Sequence, residues 1–178
     1  MEIREKVIKT EELLKGNIFN VRRDHVLLPN GKTATRDDLD HDGASAIFAL
    51  TDANEVILVQ QFRCSVYDIT TELPTGKLEY GEDPKDAAIR ELEEETGYRA
   101  KYFEHFMDIY SAVGYCNEVL HIYLAKDLYE TSQNLDEDEF LNVIKVDIKT
   151  LKEDILNNKY KDSKLICAVL KYCTENNI

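Results

Sequence analysis

No apolar run in this 178-residue sequence approaches the roughly 18 residues that a membrane-spanning helix requires. The charged opening, MEIREKVIK, does not read as a signal peptide. A cytoplasmic protein with no membrane partner is therefore expected. Basic residues are scarce as well: 22 Lys and Arg stand against 35 Asp and Glu, for a formal net charge of −13. Nucleic acid and anionic lipid surfaces are bound through basic faces, so neither is an expected partner. A small anionic ligand remains compatible, provided metal ions and a few arginines shape the local field. CxxC spacing is missing too, since Cys64, Cys116, Cys167 and Cys173 are scattered. They read as reduced thiols rather than as a disulfide framework. A thiol nucleophile at Cys116 would need a basic neighbour that the sequence does not identify. No repeat, low-complexity tract or Pro/Gly linker divides the chain, and its length suits one ordinary domain with a sizeable core and a small extension.

What the chain does have is a turn followed by a dense acidic helix, Thr75–Tyr98, TGKLEYGEDPKDAAIRELEEETGY. Asp83 suits the helix cap, Pro84 the first turn, where a missing N–H costs nothing, and Gly97 the left-handed stop. At about 100° per residue, Glu91, Glu94 and Glu95 fall within about a quarter of the circumference, while Ile89 and Leu92 point away, toward a core. Like charges at this spacing cost a few tenths of a kcal/mol per pair, offset in part by Arg90 and Lys85. A solvated acidic surface is one reading of such a run. The other starts from the turn with Gly76 and Gly81, which leads straight into the carboxylate face, and from Ile57–Val59, which reads as a buried strand before it. A strand, a tight turn and a carboxylate-bearing helix can hold a hard divalent cation through oxygen ligands.

Gly76, five residues, Glu82, seven residues and then Arg90-Glu91-Leu92-Glu93-Glu94-Glu95-Thr96-Gly97 resembles the signature box of the Nudix hydrolases. Only the last position departs, with Tyr98 where the family has an aliphatic residue. Several flanking segments resemble the ADP-ribose pyrophosphatase subgroup. Gln61-Phe62-Arg63 is similar to a Q-Y/F-R segment that contributes a substrate-binding arginine, whose planar fork suits phosphate. Glu72-Leu73-Pro74-Thr75-Gly76 is similar to E-L-P-A-G, in which the residue at Thr75 gives its backbone carbonyl to a metal. Tyr110–Glu118 resembles the S-P-G-F/Y-x-x-E loop, whose glutamate, here Glu118, lies over the metal site. Gly114 and the aromatic Tyr115 are kept, but the proline is replaced by Ala112 and Val113. That proline marks ADP-ribose specificity. His41-Asp42-Gly43-Ala44 and Asp162-Ser163-Lys164 resemble two further segments of these relatives.

The resemblance implies an α+β fold, an α/β/α sandwich with a mixed sheet between helices, preceded by an N-terminal β-hairpin extension. Residues 1–40 are the expected extension and dimerisation element, and 41–178 the hydrolase domain, so a homodimer is expected. The implied activity is Mg²⁺-dependent hydrolysis of ADP-ribose to AMP and ribose 5-phosphate, with Mn²⁺ as a substitute. The expected metal ligands are Glu91, Glu95, Glu94 and the Thr75 carbonyl, with Glu82 as a further candidate. Glu118, Glu94 and Arg90 are expected to serve catalysis, Glu118 as base or ligand and Arg90 by orienting a glutamate. Arg63, Glu72 and Gly114 are expected to bind substrate. Another nucleoside diphosphate derivative, such as a nucleotide sugar, is the alternative substrate. A ligand-sensing domain without turnover is the non-enzymatic alternative, although no box glutamate has been lost.

Elsewhere the pattern predicts a hairpin over 17–37 around Pro29-Asn30-Gly31. Strands are predicted for Ala44–Leu50, Glu55–Arg63, Phe103–Ile109, Val119–Leu124 and Glu139–Val146. Ile148–Leu156 and Ser163–Tyr172 carry apolar residues at helical spacing. Residues 1–15 fit either a short helix or a strand.

Overall fold

The computed structural model describes residues 2–178. Asn30 and Gly31 reverse the chain: Leu28 N donates to Lys32 O at 2.8 Å, the Asn30 side chain accepts from Lys32 N at 3.0 Å, and Gly31 takes a φ of +80°. That turn joins β2 (Asn20–Leu27) to β3 (Thr33–Asp40), an antiparallel pair in which Val26 meets Ala34 and Arg23 meets Asp37. The segment left open between helix and strand is a strand, β1 (Lys6–Lys15), paired antiparallel with β2, so the sheet order is β1-β2-β3. Its residues Val7, Ile8, Leu13 and Leu14 are exposed. Opposite charges lie across the ladder, Arg23 making a two-pronged contact with Asp37 at 2.6 and 2.8 Å. This sheet and residues 110–119 form one compact unit, with Leu39 N donating to Tyr115 O at 2.7 Å.

The second unit, 44–109 and 120–178, holds the larger sheet. Its strands are β4 (Ala44–Leu50), β5 (Glu55–Arg63), β6 (Asp68–Glu72), β7 (Thr75–Lys77), β8 (Tyr98–Tyr110), β9 (Val119–Glu130) and β10 (Leu141–Asp147). The main order is β10-β5-β4-β9-β8, with β6 added on β5 and β7 on β4. β4 runs parallel to β9 and antiparallel to β5, so the sheet is mixed. Every residue of β4 is buried, as expected where both faces of a strand are covered.

Alternation sorts its side chains into two cores. Ala46, Phe48 and Leu50, with Val56 and Leu58, meet Ile148, Leu151 and Ile155 of α2 (Ile148–Leu156) and Leu165, Ala168, Val169 and Tyr172 of α3 (Ser163–Glu175). Ile47, Ala49 and Ile57 face the other way, onto Ala88 and Leu92 of α1 (Pro84–Thr96). Helices on both faces of a mixed sheet give the α/β/α sandwich, and the hairpin sheet precedes it. The helix and strand expectations are met to within a few residues at their ends, except that β8 begins at Tyr98 rather than Phe103 and β9 runs on to Glu130 rather than ending at Leu124, and β6 and β7 are additional. The four cysteines are free, and no helix among the described residues is long and apolar enough to cross a membrane.

Candidate active site

The acidic helix is set by its two ends. Asp83, extended at φ −70° and ψ 131°, accepts a hydrogen bond from Lys85 N, and Pro84 opens the first turn. Gly97, at φ 70°, closes the helix with its N–H on Glu93 O at 2.8 Å, a conformation that costs a residue with a Cβ more than glycine. Between these ends, Ala87, Ala88 and Leu92 are buried against the sheet. This rotation turns Glu91 and Glu95 toward β7. Thr75 N donates to Glu95 Oε2 at 2.9 Å, and Ser45 Oγ on β4 donates to the Pro84 carbonyl at 2.7 Å. Gly76 is glycine for a steric reason, since a Cβ there would lie 1.7 Å from Glu91 Oε1.

Arg90 bridges three carboxylates. Its Nε and Nη2 each donate to Glu82 at 3.1 Å, and Nη1 donates to Glu91 at 2.6 Å and to Glu94 at 2.9 Å. The guanidinium is held charged, first by Glu82 and then by Glu91 and Glu94, while Glu82 is correspondingly lowered by Arg90. Glu95 lies outside this embrace and is only 4% exposed. Burial, joined by the charges of Glu139 and Glu91, pushes its carboxyl up to about 8 against the opposing Thr75 hydrogen bond and the field of Arg63. Burial raises Glu91 as well, despite Arg90. Arg90 therefore serves three of the four glutamates, and the two most buried of the four, Glu91 and Glu95, resist ionisation. Surroundings of this kind favour a bound cation.

Arg63 and Glu72, predicted as substrate contacts, face each other across β5 and β6. Arg63 Nε and Nη2 donate to the two Glu72 oxygens at 2.8 and 3.0 Å. Lys164 at the start of α3, 8% exposed, donates to Glu72 at 2.6 Å and to Asp162 at 2.8 Å. Asp162 also caps α3 by accepting from Leu165 N at 2.9 Å. Burial opposes the Glu72 charge, but Arg63, Lys164 and Thr70 outweigh it and hold the carboxyl at about 2. A cavity of about 550 Å³ lies beside this quartet, lined by Arg63, Thr70, Glu72, Asp162 and Ser163.

The predicted residues Glu118 and Gly114 belong to the first unit. There Glu118 Oε1 lies 3.7 Å from His41 Nδ1, and Asn117 accepts from His41 N at 2.8 Å. Gly114 sits in the turn closed by Tyr115 N on Ala112 O.

Two features went unread in the sequence. Glu139, taken there as the start of the last strand, precedes β10, and its charge bears on both Glu91 and Glu95. Residues 131–134 clamp the end of α1: Thr131 N donates to Gly97 O at 2.7 Å, Asn134 N to Glu94 O at 3.0 Å and Gln133 Nε2 to Glu95 O at 2.6 Å. The only available signal was the acidic cluster 136–139, which reads equally well as a solvated turn.

Comparison with known proteins agrees with this geometry. The NUDIX domain family matches residues 40–166, and the nucleoside diphosphate sugar hydrolase N-terminal domain matches residues 5–37. A Bacillus methanolicus protein named methanol dehydrogenase activator is 40% identical over 167 residues, covering 93% of this chain and 90% of its own. An ADP-ribose pyrophosphatase of Bacillus subtilis is 38% identical over 169 residues, covering 94% and 91%. A crystal structure of an ADP compounds hydrolase superposes with a TM-score of 0.84 at 19% identity, over 99% of this chain and 98% of its own, and so shares the fold. With the box glutamates kept on and beside α1 and the family matched over most of its length, this chain belongs to the Nudix family of hydrolases.

Proposed function

We propose that the protein hydrolyses the diphosphate bond of ADP-ribose to AMP and ribose 5-phosphate in the presence of Mg²⁺. The observation that carries this reading is the unbalanced set of carboxylates on α1. Glu95 is buried, resists ionisation and lies in the field of Glu91. The donors are all oxygens, which suits Mg²⁺, with Mn²⁺ as a substitute. Glu91, Glu95, Glu94 and the Thr75 carbonyl would hold the ion. A divalent cation there supplies Lewis acidity at phosphorus and lowers the pKa of a bound water.

The remaining roles fall to the chain's own groups. Arg90 fixes the rotamers of Glu91 and Glu94 and ties them to Glu82 at the turn. Thr75 N orients the Glu95 carboxylate. Glu118 would act either as a further ligand or as the base that takes the proton of the attacking water, whose oxygen bonds to phosphorus as the bridging P–O bond breaks and the other monophosphate leaves. Arg63, set by Glu72, presents a cation for the diphosphate, and Gly114 lets the 110–119 loop approach substrate. The relative named ADP-ribose pyrophosphatase supports the choice of substrate. Residues 1–40 form a strand extension to a hydrolase domain at 41–178, and the exposed apolar side chains of β1 support pairing of two copies into a homodimer. Four free thiols favour a reducing, cytoplasmic setting.

A second reading keeps the chemistry and takes a nucleotide sugar as substrate. It is favoured by the match of residues 5–37 to the nucleoside diphosphate sugar hydrolase N-terminal domain and by Ala112-Val113 at the position of the loop proline. The test is to incubate the protein with Mg²⁺ and ADP-ribose, nucleotide sugars, NADH and dinucleoside polyphosphates, and to measure the monophosphate released. ADP-ribose cleaved fastest is the expected result. A nucleotide sugar cleaved much faster overturns the substrate, and no cleavage of any member overturns the activity.

A further inference from the structure

Residues three apart on a regular strand point to opposite faces, yet His105 and Asp108 of β8 meet, His105 Nε2 lying 2.8 Å from Asp108 Oδ1. The reason is a slip in the alternation between them. Phe106, Met107 and Ile109 all pack on the α2/α3 core, so two neighbouring residues share a face and Asp108 is returned to the α1 side. An extra residue in a strand re-aims side chains in this way. On β9, Leu120, Ile122 and Leu124 are buried, the last two against the same α2/α3 core, while Tyr123 faces α1. His121 therefore shares the α1 face, and its Nδ1 lies 2.8 Å from the same Asp108 oxygen. The His105 ring stands edge-on to Tyr123 at 5.7 Å, which fixes its direction. Asp83 and Asp86, at the start of α1, add negative charge around Tyr123.

We propose that His105, Asp108 and His121 form a second metal site, for a borderline divalent transition ion of the Zn²⁺ class. Their donor atoms lie within 4.8 Å of one another. Tetrahedral Zn²⁺, at about 2.0–2.1 Å from nitrogen and oxygen donors, asks for donors about 3.3 Å apart. Exposed and half-buried side chains on two adjacent strands reach that spacing with small rotations, the ion coming between the two ring nitrogens and the Asp108 oxygen that face one another. The donor set separates this site from the carboxylates of α1: two imidazoles favour Zn²⁺, Co²⁺ or Ni²⁺ over Mg²⁺, and an all-oxygen set does the reverse. His121 is in register with Ser45, and Ser45 with Gly76. The site thus lies two strands, or roughly 10 Å, from the turn that supports Glu91. A bound ion would cross-link β8 to β9 beside the start of α1.

The test uses the full chain with Mg²⁺ in excess. Zn²⁺ binding is measured by calorimetry and Co²⁺ binding by visible absorption, for wild type, Glu91→Gln/Glu95→Gln and His105→Ala/His121→Ala. One Co²⁺ with tetrahedral-type bands is expected in the first two proteins. In the histidine variant Zn²⁺ affinity should fall by at least ~100-fold, while Mg²⁺-supported turnover is unchanged. Saturating wild type with Zn²⁺ at about 100 times Kd should raise Tm by roughly 5–10 °C. Histidine NMR signals of wild type give a readout free of mutation, with His105 and His121 shifting together on Zn²⁺ addition. Zn²⁺ stoichiometry and affinity unaltered in the histidine variant, or rings of His105 and His121 that do not respond, would overturn the proposal.

Discussion

Two partly buried charge clusters in the sandwich unit, one at α1 and one where β5 and β6 meet α3, have opposite character. Glu72 and Asp162 are matched by Arg63 and Lys164, two anions by two cations, and Glu72 stays ionised down to about 2. On α1, Arg90 alone serves Glu82, Glu91 and Glu94, and Glu95 is left to be pushed up to about 8. A balanced cluster is complete without a bound ion and holds Arg63 in place. An unbalanced one costs stability until a cation arrives, which is the price of a site built for something the chain does not contain. The difference is one of charge count and burial rather than of residue type, since both clusters are carboxylates facing arginine or lysine.

Four experiments break or sharpen this contrast. The largest effect is expected for Glu95→Gln, which keeps the shape and removes the carboxyl that must ionise to hold a cation. Its kcat with Mg²⁺ should drop by roughly 10³-fold, while its urea midpoint stays level or rises. A fall in stability would show that Glu95 is already balanced. Next, Lys164→Ala removes a cation from the matched quartet and leaves buried anions exposed to each other's field, a loss of about 3 kcal/mol. Urea denaturation checks this, and the contrast requires the deficit to appear in stability far more than in kcat. Third, Gly76→Ala places a Cβ against Glu91 and should displace that carboxylate by an ångström or more, lowering kcat about 10²-fold in steady-state assays. The smallest effect is in pH. The folded pKa of Glu72 lies below its ordinary value of 4.5, so its contribution to stability is complete above about 4.5 and is lost as pH falls toward about 2. Urea midpoints between pH 6 and 2.5 should fall in wild type and fall less in Glu72→Gln.

How much of this was legible follows the range of the interactions. The α1 helix could be read to the residue because its signals are local: Asp83 and Pro84 at one end, Gly97 at the other, and buried Leu92 opposite the carboxylates. The fully buried β4 and the helices α2 and α3 were legible through hydrophobic period. β1 was not, because its charged and exposed residues satisfy neither period cleanly, and only pairing with β2 settles it. The Lys164–Glu72 contact joins residues 92 apart, so no window along the chain contains both partners. Glu139 was missed for the same reason. His105 and Asp108 escaped notice because strand alternation, taken at face value, sends them to opposite faces.

Residues 131–134 carry neither helix nor strand, yet they consume carbonyls at the end of α1 that a free helix would leave to water. The opening of this stretch and the fraying of the catalytic helix are thus one event. Amide exchange at Thr131 and Asn134 should run at the slow rate of the helix rather than at the rate of a surface loop. An insertion between Thr131 and Asn134 should disable the enzyme, whereas the exposed residues Asp136–Asp138 only a few positions later offer room for one.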